Sequence, residues 1–553
     1  MALREQLNAS VANLGLAVLG LSAFLCLGAG TALAQSTPNA SDFLNAASDS
    51  ANWILPAKSY SGNHYTPATQ ITPANVSGLH LAWKTTLDDP GPMENSPIIY
   101  NGTMYVTTAH DHVYALDAAT GKVKWEFTYS PHVIAFAANR GVGLVDGNVY
   151  LGTLDGHLIA LNAETGQKVW DKVTVADTAN SFYTMAPVPY HDPTTGQEWL
   201  LMGVSNGDWG GNGNITAYNP QDGSVIWSWS SIPGPGEPNH DSWGSGDAWK
   251  RAGGALWTGV TIDPATQTMY LNVGNPTPDF LATVRPGDNL YTDSMVGLDI
   301  SGAQPKLKWY HQFIPHDTHD WDPTMQPILF TGKVGDTEEK LVATGDKAGN
   351  FWLLNAATGA LVDHTAVSFQ KGQNTAPSLT GNYACPNTLG GVEYQGGAYD
   401  PATDAVLLPS QNECGFWTST KDAVYVAGQF YLGGAFPKLV GPNTGQMNSV
   451  DVSTGVFEWR HHFDLPNYGG ALATASGLTF SGNLGGTENA FDTQTGNILW
   501  SYDTGAYIQA PSEAYEVNGQ EYIVVASGAA GNTAIPELPA TGQSAIISAF
   551  TLK

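Results

Sequence analysis

Residues Pro315-His316-Asp317-Thr318-His319-Asp320-Trp321-Asp322 set three carboxylates and two imidazoles within eight positions, a density met nowhere else in the chain. Charged residues make up only 13% of the sequence, so acids gathered beside an indole point to carboxylates in an apolar setting, where they bind a metal or move a proton. A solvated acidic turn is the other reading, and a net charge of -28 supplies many of those.

Such a stretch needs a frame. The 63 glycines, 33 prolines and 10% aromatics among 553 residues predict many short strands joined by tight turns, and one large all-β unit. A repeat defines it further: an apolar strand, a turn ending in Gly, then Trp four residues later. ALDAATGKVKW ends at Trp125, LNAETGQKVW at Trp170, AYNPQDGSVIW at Trp227, VDVSTGVFEW at Trp459 and FDTQTGNILW at Trp500. Trp83 and Trp309 close looser versions, and LLNAATGALVD puts Asp363 where the indole should be, which makes eight units. This spacing matches four-stranded blades, so the expected fold is an eight-bladed β-propeller in which each tryptophan docks between adjacent sheets. The intervals Trp227–Trp309 and Asp363–Trp459 are much longer than the rest, and such insertions project at one end of the channel, where sites are built.

The N-terminus carries Arg4, an apolar run from Leu14 to Leu27 and Ala32-Leu33-Ala34, which reads as a secretory signal over residues 1–34. The mature propeller is then expected over 35–553, with an uncleaved anchor as the lesser alternative. No later stretch has the length of apolar sequence that spans a bilayer. Removal of the signal takes Cys26 with it and leaves Cys385 and Cys414, which could form one disulfide in an oxidising compartment. There is no C-x-x-C-H for a covalent haem, so an electron carrier would be a separate molecule. The acidic balance argues against nucleic acid and anionic membrane, and favours a basic partner.

The first long interval also holds Trp257 in GDAWKRAGGALW and Asn275 in VGNPTP. Seen alone, the first is a core indole and the second a turn former. With PMENSP (Glu94), AANRG (Arg140), GTLDGHLIALNAETG (Thr153), YTMAP (Thr184), GDKAGNFWLLN (Lys347) and the acidic octet, they resemble the quinoprotein alcohol dehydrogenases from about Asn52 onward. That family is an eight-bladed propeller binding pyrroloquinoline quinone (PQQ) and a metal ion on its axis. The resemblance implies that Trp257 stacks on the quinone and that Glu94, Arg140, Thr153, Thr184 and Lys347 hold its polar groups, a task suited to Arg and Lys. It further implies that Asn275 and Asp320 are metal ligand and catalytic acid, with Asp208 where the family usually has a ligating glutamate.

The chain departs from the family pattern in four places. Ile134-Ala135 stand where two adjacent cysteines are common, Asp208 is one methylene short, Glu393-Tyr394 replace Asn-Trp, and Asp322 is an added acid. Asp322 resembles the extra ligand of lanthanide-dependent members, although it could be a surface acid. The oxygen donors Asp208, Asn275, Asp320 and Asp322 fit calcium or a lanthanide rather than zinc or copper. Cys385 and Cys414 match a structural disulfide position of the family. By the same resemblance His316 is a scaffold residue and His319 replaces a Trp, while His461 and His462 read as strand residues.

The function implied is periplasmic oxidation of an alcohol, with Asp320 taking the hydroxyl proton, Lys347 stabilising charge at the quinone, and electrons passing to a soluble cytochrome c. A propeller that has lost its cofactor and serves as a protein-binding scaffold is the alternative, since fold does not fix function. A polymeric or bulky secondary alcohol remains open as the substrate.

Overall fold

In a computed structural model describing residues 37–132, 137–529 and 544–553, the repeated phrase folds as a hairpin fixed by its own turn. The side-chain oxygen of Asn162 accepts hydrogen bonds from the Glu164 and Thr165 amides and the Thr165 hydroxyl, at 3.1, 3.0 and 2.9 Å. Gly166 follows at φ 70°, a left-handed conformation costly for any residue with a Cβ. The strands His157–Asn162 and Lys168–Val173 therefore leave antiparallel. Asp117, Asn355, Asp451 and Asp492 bond within the corresponding turns of other sheets.

The second role of that glycine concerns the neighbouring sheet. A Cβ on Gly166 would lie 2.5 Å from the Trp125 ring, so the indole of one sheet lies flat on the turn of the next. The Trp125 Nε1 donates to the Ala163 carbonyl at 3.0 Å, three residues before the glycine. Trp83 with Ala118, Trp170 with Pro220, Trp309 with Ala356 and Trp459 with Thr493 repeat this bond. Where Asp363 replaces the indole, its carboxylate faces Gly455. The docking expected of the tryptophans is thus observed for these rings, whereas the Trp227 Nε1 has no hydrogen-bond partner and its ring meets Trp199 of its own sheet.

Eight sheets of four or five strands are formed among the described residues. The first strands of most, such as Ile98–Tyr100 and Gly143–Val145, are buried throughout, whereas fourth strands such as Val123–Phe127 alternate with solvent. One sheet joins distant parts of the chain: His80–Leu87 pairs with Ala545–Thr551, which continues to Gln520–Ser527 and Glu513–Val517. The second long interval extends its hairpin into an arm, strands Ala405–Ser419 and Gly434–Asp451 joined by residues 420–433. Cys385 and Cys414 form the disulfide, fastening this arm beside the strand Asn382–Ala384.

No helix among the described residues is long and apolar enough to cross a membrane. The leader expected over residues 1–34 and the pair Ile134-Ala135 lie outside the described residues.

Candidate active site

The segments entering and leaving the innermost strands converge on one cavity of about 690 Å³. Glu94 precedes the strand Ile98–Tyr100, Arg140 precedes Gly143–Val145, Thr184 precedes Val188–His191, and Asp208 follows Glu198–Gly203. Asn275 follows Thr268–Val273, and Lys347 sits in the turn between Thr337–Gly345 and Asn350–Asn355. Trp257 reaches the cavity because Leu256 runs against Gly203, where a Cβ would strike the Leu256 carbonyl.

One end is a polar cradle. Arg140 donates to Glu94 Oε2 through Nη2 and to Thr184 Oγ1 through Nη1, both at 2.7 Å, and Thr184 shares a 2.7 Å hydroxyl contact with Ser205. The guanidinium lies over two rings, 4.1 Å from the centre of Tyr394 and 4.8 Å from that of Trp257. Lys347 Nζ stands 5.8 Å from the Trp257 ring. Burial raises the pKa of Glu94, against the opposing pull of Arg140.

The other end is acidic. Lys347 Nζ lies 2.9 Å from Asp320 Oδ1 and 2.8 Å from Asp322 Oδ1, and the Trp257 Nε1 donates to Asp322 Oδ2 at 3.2 Å. Asn275 Nδ2 donates to Asp208 Oδ1 at 3.3 Å. Burial pushes the Asp320 carboxyl well above the carboxylate range, with Lys347 opposing and Asp208 and Asp322 adding to the rise. Burial likewise raises Asp208, and lifts Glu393 to about 8. Burial disfavours the Lys347 ammonium too, yet Asp320, Asp322, Glu393 and Asp208 together hold it well above its ordinary value.

The octet owes its shape to Asp317, whose carboxylate accepts from the His319 and Trp321 amides at 3.0 and 2.9 Å. His316 and Asp320 adopt φ values of 54° and 59°, which turn the Asp320 carboxyl into the cavity, and an aspartate tolerates that conformation better than most residues. All three acids of the octet, Asp317, Asp320 and Asp322, are buried, and the solvated-turn reading does not describe them. His316 bonds to the Gly287 carbonyl at 2.7 Å and acts as scaffold. His319 stacks on Trp321 at 4.0 Å and meets Trp417 edge-on, in aromatic packing that suits its replacing a Trp.

Glu94, Arg140, Thr184, Asp208, Trp257, Asn275, Asp320 and Lys347 all line the cavity. Thr153 does not, its hydroxyl being donated to Asp155 at 2.6 Å, and Asp322 lies just behind Trp257 and Lys347. Sequence reasoning missed Ser205 and Asp279. Asp279 is buried with neither carboxylate oxygen hydrogen-bonded, and burial and Asp208 raise its pKa far above the ordinary value. Its place four residues beyond Asn275 is the only signal the sequence carries.

The residues present fit both groups the family resemblance calls for. Two cations near one indole, with hydroxyls beside them, suit a flat polyanion such as PQQ. Under-neutralised buried acids, all oxygen donors, suit a hard cation. Among the described residues no three His, Cys, Asp or Glu side chains already converge at ligand spacing, and Lys347 holds two of the acids.

Residues 53–367 match the family described as "PQQ: Glucose/ethanol/alcohol dehydrogenase, beta-propeller domain". The chain is 30% identical to quinoprotein alcohol dehydrogenase PedH of Pseudomonas putida over 85% of each chain. It superposes with a TM-score of 0.84 on the quinohemoprotein alcohol dehydrogenase of Comamonas testosteroni, at 26% identity, covering 94% of this chain and 83% of that one. A europium-containing methanol dehydrogenase superposes with a TM-score of 0.82 at 26% identity, covering 93% of this chain and all of the other.

Proposed function

The chain belongs to the PQQ-dependent quinoprotein alcohol dehydrogenases, and from that premise we propose a periplasmic enzyme that binds PQQ beside Trp257 and a hard cation through Asp208, Asn275 and Asp320. The observation that carries this reading is Lys347 set between Asp320 and Asp322, behind an indole that also faces Arg140. A scaffold protein has no use for two cationic and two acidic side chains gathered around one ring, because withdrawing such groups from water costs free energy.

Bound PQQ supplies the hydride acceptor and the bound cation a Lewis acid. Asp320, whose carboxyl opens on the cavity, would take the hydroxyl proton of the alcohol. Lys347, at the cavity wall near Trp257, would place its positive charge beside a bound cofactor's polar groups. Arg140 and Thr184 bind acidic or carbonyl oxygens, and Glu94 fixes the guanidinium. Asp322 adds an anionic oxygen that favours a trivalent lanthanide over calcium. A soluble cytochrome c would serve as electron acceptor, and the net charge of -28 suits one with a basic face. The leader ends at residue 34.

The test is reconstitution of apoprotein with PQQ and either calcium or a light lanthanide, followed by dye reduction across an alcohol panel. Metal-dependent turnover that disappears in Asp320→Ala is expected, and the preferred ion decides the role of Asp322. Failure to bind PQQ with either ion would overturn this reading in favour of the scaffold.

A further inference from the structure

The cavity has a third face that neither cofactor nor cation explains. Phe182, Trp209, Phe430, Phe436, Leu389 and Leu439 line it without offering a charge. Phe182 meets Trp209 edge-on at 5.0 Å, Trp209 lies 4.4 Å from Phe430 at 34°, and Phe430 meets Phe436 edge-on at 5.1 Å. The series climbs from buried Trp209 at 6% exposure to Phe430 at 39% and Phe436 at 46%, so it opens to solvent as it leaves the acids.

This wall is fixed to the acidic end. Trp209 directly follows Asp208, and the Tyr431 amide, next to Phe430, donates to the Asp208 carbonyl at 2.6 Å. The arm that bears Phe430 is held elsewhere as well. Asn180 donates to the Tyr425 hydroxyl at 2.7 Å and accepts from the Gly428 amide at 3.1 Å, and the Phe280 amide donates to the Leu432 carbonyl at 2.8 Å. Arg251 lies 3.9 Å over the Tyr425 ring. A segment so anchored is a preformed surface, and large aromatic faces left partly in water at a cavity mouth mark a binding site for apolar groups.

We infer that this wall selects alcohols whose carbinol carbon carries an aryl or similarly broad apolar group, Phe430 and Trp209 being its specificity-determining residues. The inference rests on the dehydrogenase reading above. Asp320 and Asp208 would meet the hydroxyl end while the apolar group covers Trp209 and Phe430. A two-carbon alcohol would leave that wall wet and gain nothing from it. Hydrophobic pockets discriminate by roughly 10- to 200-fold for each well-packed group gained or lost.

The test compares kcat/KM for ethanol, 1-butanol, benzyl alcohol and cinnamyl alcohol in the PQQ- and metal-loaded wild type, Phe430→Ala and Phe430→Leu. Wild type should favour the two aryl alcohols over ethanol by at least about tenfold, Phe430→Ala should cut that ratio by a similar factor, and Phe430→Leu should restore part of it. Equal preference for ethanol, or one common factor of loss for all four alcohols, would overturn the inference. If PQQ binds but no alcohol is turned over, the dehydrogenase reading has failed on its own. Equilibrium dialysis of benzyl alcohol then decides the wall: stronger retention by wild type than by Phe430→Ala upholds it, and equal retention sinks it.

Discussion

Replacing Gly166 by alanine isolates the contact that couples adjacent sheets. Gly166 and Gly147 share nearly the same left-handed backbone, φ 70° and 77°, but their surroundings differ. A Cβ at Gly147 meets nothing within 4 Å, whereas at Gly166 it falls 2.5 and 2.7 Å from two Trp125 ring carbons. Both substitutions carry the backbone penalty of about 1–2 kcal/mol. Gly166→Ala adds an overpacking cost of roughly 1–3 kcal/mol, because the ring is held by its bond to Ala163 and by the sheet on either side. Urea unfolding followed by circular dichroism should place Gly166→Ala about 2–5 kcal/mol below wild type and Gly147→Ala about 1–2 kcal/mol below. In a Trp125→Ala background the space reopens, and the extra cost of Gly166→Ala should vanish. Equal losses for the two glycine variants, or a penalty that survives removal of the indole, would refute the docking argument.

Three further outcomes follow from the same structure. Asp111 is buried between Leu154 N and Asn139 Nδ2, and burial lifts it to about 7. Its folded pKa lies above the unfolded value, so stability should rise as pH falls from 7 toward 4, by up to about 1.4 kcal/mol per unit, and Asp111→Asn should flatten that slope in urea midpoints. Removing the 29-residue cross-link with Cys385→Ser and Cys414→Ser should cost about 3.5 kcal/mol by the loop-entropy relation, read as a lower unfolding midpoint. Arg140→Lys cannot serve Glu94 and Thr184 at once, so PQQ affinity measured by calorimetry should fall at least about tenfold, while the apoprotein's unfolding midpoint drops only by what one lost hydrogen bond costs.

The all-β repeat was legible because its instructions are local. An Asn or Asp, a Thr and a Gly fix the turn within five residues, and the Trp that follows reports the next sheet at a constant offset. Most residues carried over by family likeness also converge on one cavity, since each sits in a phrase beside an inner strand. Thr153 shows the limit: it stands in its expected phrase, yet its hydroxyl turns to Asp155. Contacts made by the insertions were not legible. The bond from Tyr431 to Asp208 and the tilted ring contact of Phe430 with Trp209 join residues more than 200 positions apart, through segments with neither period nor turn signature. Asp279 was missed for the same reason, because an acid in an irregular loop declares its burial only once the loop is packed.

The sheet that pairs His80–Leu87 with Ala545–Thr551 sets a timetable for assembly. Its two halves emerge at opposite ends of synthesis, so the early strand waits with an open edge while the intervening seven sheets are made. The entropy of bringing such distant segments together grows only logarithmically with their separation, but the search is slow. During that interval the bare hydrogen-bonding edge is the part of the chain most apt to pair with a neighbour. A truncation that deletes only the last strand would thus leave seven sheets' worth of sequence intact and still yield a protein that aggregates, because the latch has lost its catch.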